Sequence, residues 1–269
     1  MSARPDRPRA PAPDARTTGR ARRPQGRRGD TRPIAGDYQA QALGAGFVVQ
    51  RFWHTLKFRL IERVCPPRPG TRVLDVGCGS GVIANYLAQR ARFVDAVDGN
   101  PSAIDFARAN AAGDNMAFHL ALIDEMPFEN DSFDQIYCLE MIEHIHEHQV
   151  RALMSRLHAL LTDGGELLVT TPNYASPWPV IEWCMDLLHL SPRLKGDQHV
   201  SRWTPRRLRA IGREASLVER KVGRFCGTAP FVSVLSWSLA LSVDGLETRI
   251  ANPLGNLVYG VWGKGGATN

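Results

Sequence analysis

Two acids and a histidine stand close together at Glu140, Glu143 and His144. If a helical turn begins at Glu140, the three fall at i, i+3 and i+4 and share one face. Two carboxylates and an imidazole on one face can bind a divalent metal, or position a base that takes a proton from a reacting group. A second histidine, His199 in Gly196-Asp197-Gln198-His199, lies far downstream as a candidate fourth member. An oxygen-rich site suits Mg²⁺, while two histidines leave Mn²⁺ or Zn²⁺ open. Without a metal, His144 or His199 would be the general base. His146 and His148 alternate with His144 and are turned away toward solvent on a helix.

A second stretch, Leu74-Asp75-Val76-Gly77-Cys78-Gly79-Ser80-Gly81, has the makings of a nucleotide loop. Its glycines permit a tight turn and close approach of a ligand to the backbone, near a helix N-terminus. Asp75 immediately before the loop would repel a pyrophosphate and hold an ammonium group such as that of a methionine moiety. Asp98 ends the next apolar run and can accept hydrogen bonds from both ribose hydroxyls. A dinucleotide loop would read GxGxxG, with its third glycine one residue later, which argues against a nicotinamide oxidoreductase.

These residues need a scaffold that brings them to one edge. Five short apolar runs, Arg72–Val76, Phe93–Asp98, Met116–Leu120, Gln135–Leu139 and Glu166–Thr171, alternate with helix-like stretches Val82–Gln89, Ser102–Asn110 and His148–Leu161. Strands without clean alternation, interleaved with helices, imply a parallel sheet covered on both faces. An aromatic-rich helical lead-in, Tyr38–Val64, precedes them and is ended by Pro66, Pro67, Pro69 and Gly70. A helix over Pro205–Ala215 and strands over Leu217–Phe225 and Leu257–Trp262 follow. The expected fold class is α/β: a Rossmann-like doubly wound sheet of about seven strands, mostly parallel, with the last one antiparallel. The acid-histidine cluster then sits at the carboxyl end of the fourth strand, where such sheets open on a ligand crevice.

With these residues in view, the sequence resembles the class I S-adenosylmethionine-dependent methyltransferases over roughly residues 65–225. Val73–Gly81 and Val97-Asp98 match the first two motifs of that family. Met126-Pro127-Phe128 with Ser132-Phe133-Asp134, and Leu161–Gly165 with Glu166–Pro172, match the later ones. The resemblance implies S-adenosyl-L-methionine bound by Asp75, Gly77, Cys78, Gly79, Gly81, Asp98, Gly99, Ile123, Asp124 and Glu140. One departure stands out: many relatives carry an acid where Leu122 stands, so Asp124, or the backbone of Ile123 and Asp124, takes its place at the adenine. Within the family, Glu-x-x-Glu-His resembles the ubiquinone-biosynthesis O-methyltransferases and the small-RNA 3′-terminal 2′-O-methyltransferases. In both groups a metal, commonly Mg²⁺, is associated with such residues. The resemblance thus implies a metal on Glu140, Glu143, His144 and His199, with the same four as catalytic residues.

Charge and composition narrow the choice of acceptor. Residues 1–36 hold ten Arg against three Asp, a net of +7, so the rest of a chain of formal charge +6 is close to neutral. Such an Arg/Pro-rich segment cannot offset the entropy of ordering and is read as a disordered tail. Residues 37–269 form the methyltransferase domain, with an apolar insertion at about 226–254. From Cys226 to Val243 no residue is charged. Phe231, Leu235 and Leu239, like Val234, Trp237 and Leu241, recur at helical spacing there. The stretch reads as an interfacial helix or lid giving peripheral membrane contact, with Trp178–Leu190 as a facing wall; the alternative is an inserted helix packed on the sheet edge. The five cysteines, at 65, 78, 138, 184 and 226, show no metal or disulfide spacing, which points to a reducing cytoplasm. The expected activity is O-methylation of a small aromatic or lipid-linked acceptor. A near-neutral folded part without aromatic-basic interleaving argues against nucleic acid as a partner. An RNA 3′-terminal ribose methyltransferase and a non-catalytic binding module are the alternatives.

Overall fold

The computed structural model describes residues 36–187, 198–252 and 254–265. The Arg-rich segment up to residue 35, and Leu188–Leu190 of the expected wall, lie outside them. Two helices lead in, α1 (Tyr38–Gly44) and α2 (Val48–Val64), and are followed by β1 (Arg72–Val76), α3 (Val82–Leu87), β2 (Phe93–Asp98), α4 (Pro101–Ala109) and β3 (Met116–Leu120). Next come β4 (Phe133–Leu139), α5 (Glu147–Leu160), β5 (Leu161–Pro172), α6 (Trp178–Leu187), α7 (Pro205–Glu214) and β6 (Val218–Phe225). The described chain closes with α8 (Ala229–Val232), α9 (Trp237–Arg249) and β7 (Leu257–Gly263).

The strands form one sheet in the order β3-β2-β1-β4-β5-β7-β6. β1 pairs in parallel with both β2 and β4, while β7 runs antiparallel between β5 and β6. The strand order therefore reverses between β1 and β4, and the crevice at their carboxyl ends is where a doubly wound sheet takes its ligand.

Both faces of the sheet are covered, as its unbroken apolar strands require. On one face Val73, Val94, Tyr137 and Leu139 pack with α2, α3 and α4 side chains such as Phe52, Leu56, Ile83 and Ile104. On the other, Leu74, Ile136 and Val169 meet Val150, Leu153 and Leu157 of α5 and Leu208 and Ile211 of α7. β5 starts earlier than its apolar run because Leu161 already pairs with Phe133, ahead of a register slip between Phe133 and Gln135.

The apolar insertion takes the form of α8 and α9 between β6 and β7. These helices pack on α2 at the carboxyl end of the sheet: the Phe52 and Trp237 rings meet edge to face at 4.8 Å. Asp244, buried on α9, accepts from Arg59 at 3.0 Å and Arg63 at 3.4 Å. On its other side α2 meets α6, with Trp53 and Trp178 ring centroids 5.3 Å apart.

Candidate active site

β1 leads through Asp75 into a loop whose three glycines all take positive φ, 72° at Gly77, 50° at Gly79 and 75° at Gly81. At Gly77 an added Cβ would also lie 2.5 Å from Met141 Cγ. At Gly81 it would meet Ala107 and Phe118 at 3.0 Å, so the last glycine lets α3 close on α4 and β3. The loop's donors are turned inward. The N–H groups of Gly77 and Cys78 donate to Val97 O at 2.8 and 3.1 Å, and that of Gly81 to Cys78 O at 2.9 Å. The Gly79 N–H donates to Asp98 Oδ2 at 2.9 Å. A phosphate site needs such donors free.

What the loop offers instead is negative. Asp75 is buried, and its Oδ2 has no partner among the described residues. Burial, and then the charge of Asp98, push its carboxyl up to about 7. A buried acid in that state calls for a positive group. Asp98 accepts from the Asn100 N–H at 2.8 Å through Oδ1, and with the Gly79 and Gly99 N–H groups also on the carboxylate it keeps room for a ribose hydroxyl. Burial is also the main reason its carboxyl is raised. Cys78 contributes backbone only, since burial drives its thiol far above its usual range. Beyond β2, Leu122 Cδ2 lies 3.0 Å from where a Gly99 Cβ would stand. Ile123–Glu125 form a 3-10 turn in which Ile123 is half-buried and Asp124 exposed.

Opposite Asp75 stands a cation that sequence reasoning missed. Lys57 of α2 points into the sheet end and pairs with Glu140 Oε2 at 2.7 Å, leaving Glu140 Oε1 without a partner among the described residues. Lys57, Asp75, His54 and Gly77 line one small cavity. His54 is held neutral there, pushed down to about 2 by burial and by Lys57.

Glu140 accordingly does not belong to the acid-histidine cluster as expected. It takes φ of 52°, and the turn begins only at Ile142–His144, a 3-10 helix, so no i, i+3, i+4 face forms from Glu140. What does come together is Glu143, His144 and His199, whose donor atoms lie within 4.8 Å of one another. His199 reaches the cluster because its segment is strapped to that turn. Val200 N–H donates to Glu143 O at 2.9 Å, and Ser201 Oγ to Ile142 O at 2.8 Å.

Each imidazole is fixed by its second nitrogen. His144 Nδ1–H donates to Gln198 O at 2.9 Å, so Nε2 keeps the lone pair, and burial holds the ring's pKa below its usual value. His199 Nδ1 lies 2.8 Å from Glu182 Oε1, which also accepts from Tyr174 Oη at 2.8 Å. A carboxylate there holds the proton on Nδ1 and leaves Nε2 as the basic atom. Glu143 accepts from Thr171 Oγ1 at 2.9 Å, and burial pushes it up to about 7. His146 and His148 are exposed and stack on each other, 5.8 Å between centroids.

A family model described as a methyltransferase domain matches residues 49–218, taking in the loop, both acids and the cluster. The chain belongs to the methyltransferase-domain family. Curated relatives of this methyltransferase include the ubiquinone biosynthesis O-methyltransferase of Xylella fastidiosa, 36% identical over 110 residues, 40% of this chain and 44% of that protein. The counterpart from Xanthomonas campestris is 32% identical over 108 residues, with 39% and 44% covered. The match thus spans under half the length of these curated relatives. Among solved structures, an S-adenosylmethionine-dependent methyltransferase from Mesorhizobium loti superposes with TM-score 0.57 at 19% identity, over 77% of this chain and 97% of that one. The [4+2]-cyclase SpnF superposes with the same TM-score, 0.57, at 16% identity over 79% and 81%, so the fold by itself does not specify methyl transfer.

The methyl donor the family implies, S-adenosylmethionine, fits the residues present. A buried acid with one oxygen unpartnered among the described residues, a nearby lysine and inward-turned loop donors match an amino-acid zwitterion and a ribose, not a pyrophosphate.

Proposed function

We propose that this methyltransferase transfers the methyl group of S-adenosylmethionine to an oxygen of a small aromatic or lipid-linked acceptor. The cluster of Glu143, His144 and His199 at the carboxyl end of β4, beside the glycine loop, carries this reading. The printed names of the curated relatives support oxygen as the atom methylated.

When bound, the donor supplies an electrophilic methyl on a sulfonium sulfur. Asp75 and Lys57 hold its ammonium and carboxylate ends, and Asp98 its ribose; Gly99 and the Ile123-Asp124 turn form the adenine end. A charged sulfonium is best met by an acceptor oxygen that has lost its proton. The bases for that proton are at hand: Nε2 of His199, whose tautomer Glu182 fixes through Nδ1, and Nε2 of His144. Glu143, His144 and His199 also make a three-ligand set for a divalent cation, which would lower the acceptor hydroxyl's pKa. Two imidazoles and one carboxylate suit Mn²⁺ better than the Mg²⁺ expected from sequence, because Mg²⁺ favours oxygen ligands.

The test is transfer of labelled methyl to a catechol-type acceptor, with EDTA and with Mn²⁺ or Mg²⁺ restored. EDTA-sensitive labelling of the acceptor oxygen is expected. Transfer that ignores EDTA would remove the cation and leave the histidines as bases, and label on nitrogen or carbon would overturn the O-methylation reading.

A further inference from the structure

The surface formed by α8 and α9 is built for an apolar medium. α9 packs Leu241 and Val243 partly against the core and buries Ala240 and the acid Asp244, while Leu239 and Leu246, and Ile250 at its C-cap, are exposed. The acid is affordable inside only because Arg59 and Arg63 of α2 meet it there. That pairing also fixes which way α9 faces. Ahead of it, α8 and the following turn expose Phe231, Val234 and Leu235, the last at 82%. On the other flank of α2, α6 repeats the pattern with Val180, Trp183 and Leu187 exposed at 63%, 55% and 57%, spaced i, i+3 and i+7 on one stripe. Scattered exposed leucines are ordinary, but helices on both flanks of α2 each presenting an apolar stripe are not.

We propose that this face docks on an anionic lipid bilayer. Three observations select the bilayer over a protein partner. The stripes are interrupted by exposed Ser238, Ser242 and Thr248 and carry Trp183 and Trp237, the mixture of an in-plane interfacial helix. Among the described residues no helix is long and apolar enough to cross a membrane, so contact is lateral. The 35 residues ahead of Gly36 hold ten Arg against three Asp, a second signal that adds electrostatic attraction to anionic headgroups. One weak anchor gives marginal binding, and two together give stable binding. Trp178 of α6, whose neighbour Trp53 lies on α2, stands 6.1 Å from the His199 ring, so α6 adjoins the site. The proposal rests on this surface and not on the identity of the acceptor.

Full-length protein is sedimented with vesicles of phosphatidylcholine alone and with added phosphatidylglycerol, without acceptor, alongside the variant L235E/L239E. Binding to the anionic vesicles is expected, weakened by salt, and weakened about tenfold to a hundredfold in the variant, the scale of two leucines withheld from lipid. An unchanged melting temperature and S-adenosylhomocysteine affinity in the variant show that its fold is intact. No vesicle binding by the native chain, or equal binding by native and variant, would overturn the proposal. So would light scattering that finds a dimer split by the same variant, which would assign the face to a second copy. Because no methyl transfer is read, failure here leaves the proposed reaction standing.

Discussion

Asp75 turns a packing fact into a pH dependence. Its carboxyl is raised to about 7, so below that pH it is mostly neutral and offers an ammonium little attraction. As pH rises through about 7 it ionises, and affinity for S-adenosylhomocysteine should climb between pH 6 and 8. Calorimetry across that range checks this, and Asp75→Asn should bind weakly at both ends with the slope lost. Asp98→Ala should weaken the same binding by roughly 1.5–3 kcal/mol, the scale of a lost charged hydrogen bond; unchanged affinity would remove Asp98 from the site. Glu143→Gln should abolish transfer with cofactor affinity nearly intact, and full activity would remove Glu143 from the chemistry. Glu182 touches no reacting atom and acts through His199. Glu182→Gln should lower kcat by about tenfold to a hundredfold and shift the pH profile of kcat, with KM little changed. An unshifted profile would make Glu182 merely structural.

At the scale of elements, the boundaries of β1, β2 and β3 were legible because each apolar run is stopped by glycine, proline or a charged turn. The loop and Asp98 were legible for the same reason: their spacing is local. Glu140 was not. A non-glycine residue in the left-handed region leaves no periodic trace, so a helical face drawn from Glu140 fails one residue past the strand. Lys57 and Glu182 were missed because each meets its partner from a distant element. Glu182 did leave a signal, an acid inside the apolar run Trp178–Cys184, where burial demands a partner. Packing between elements gives a sharper test at Gly212 of α7, where an added Cβ would collide with the indole of Trp262 on β7. Gly212→Ala should destabilise by about 1–3 kcal/mol, the cost of overpacking, despite alanine's better helix propensity. A raised melting temperature would show that the indole can move aside.

For the whole molecule, the order of synthesis differs from the order of the sheet. β7 is made after the other six described strands, yet it lies between β5 and β6 and hydrogen-bonds to both. Until it emerges from the ribosome, those two strands each present an open edge flanked by apolar surface, and unpaired edges recruit other chains. The earlier strands β1 to β5 can assemble as they appear, but the sheet closes only by insertion of β7. A nascent chain stalled before Leu257 is therefore expected to be a client for chaperones, and a chain cut before β7 to aggregate instead of persisting as a smaller soluble domain.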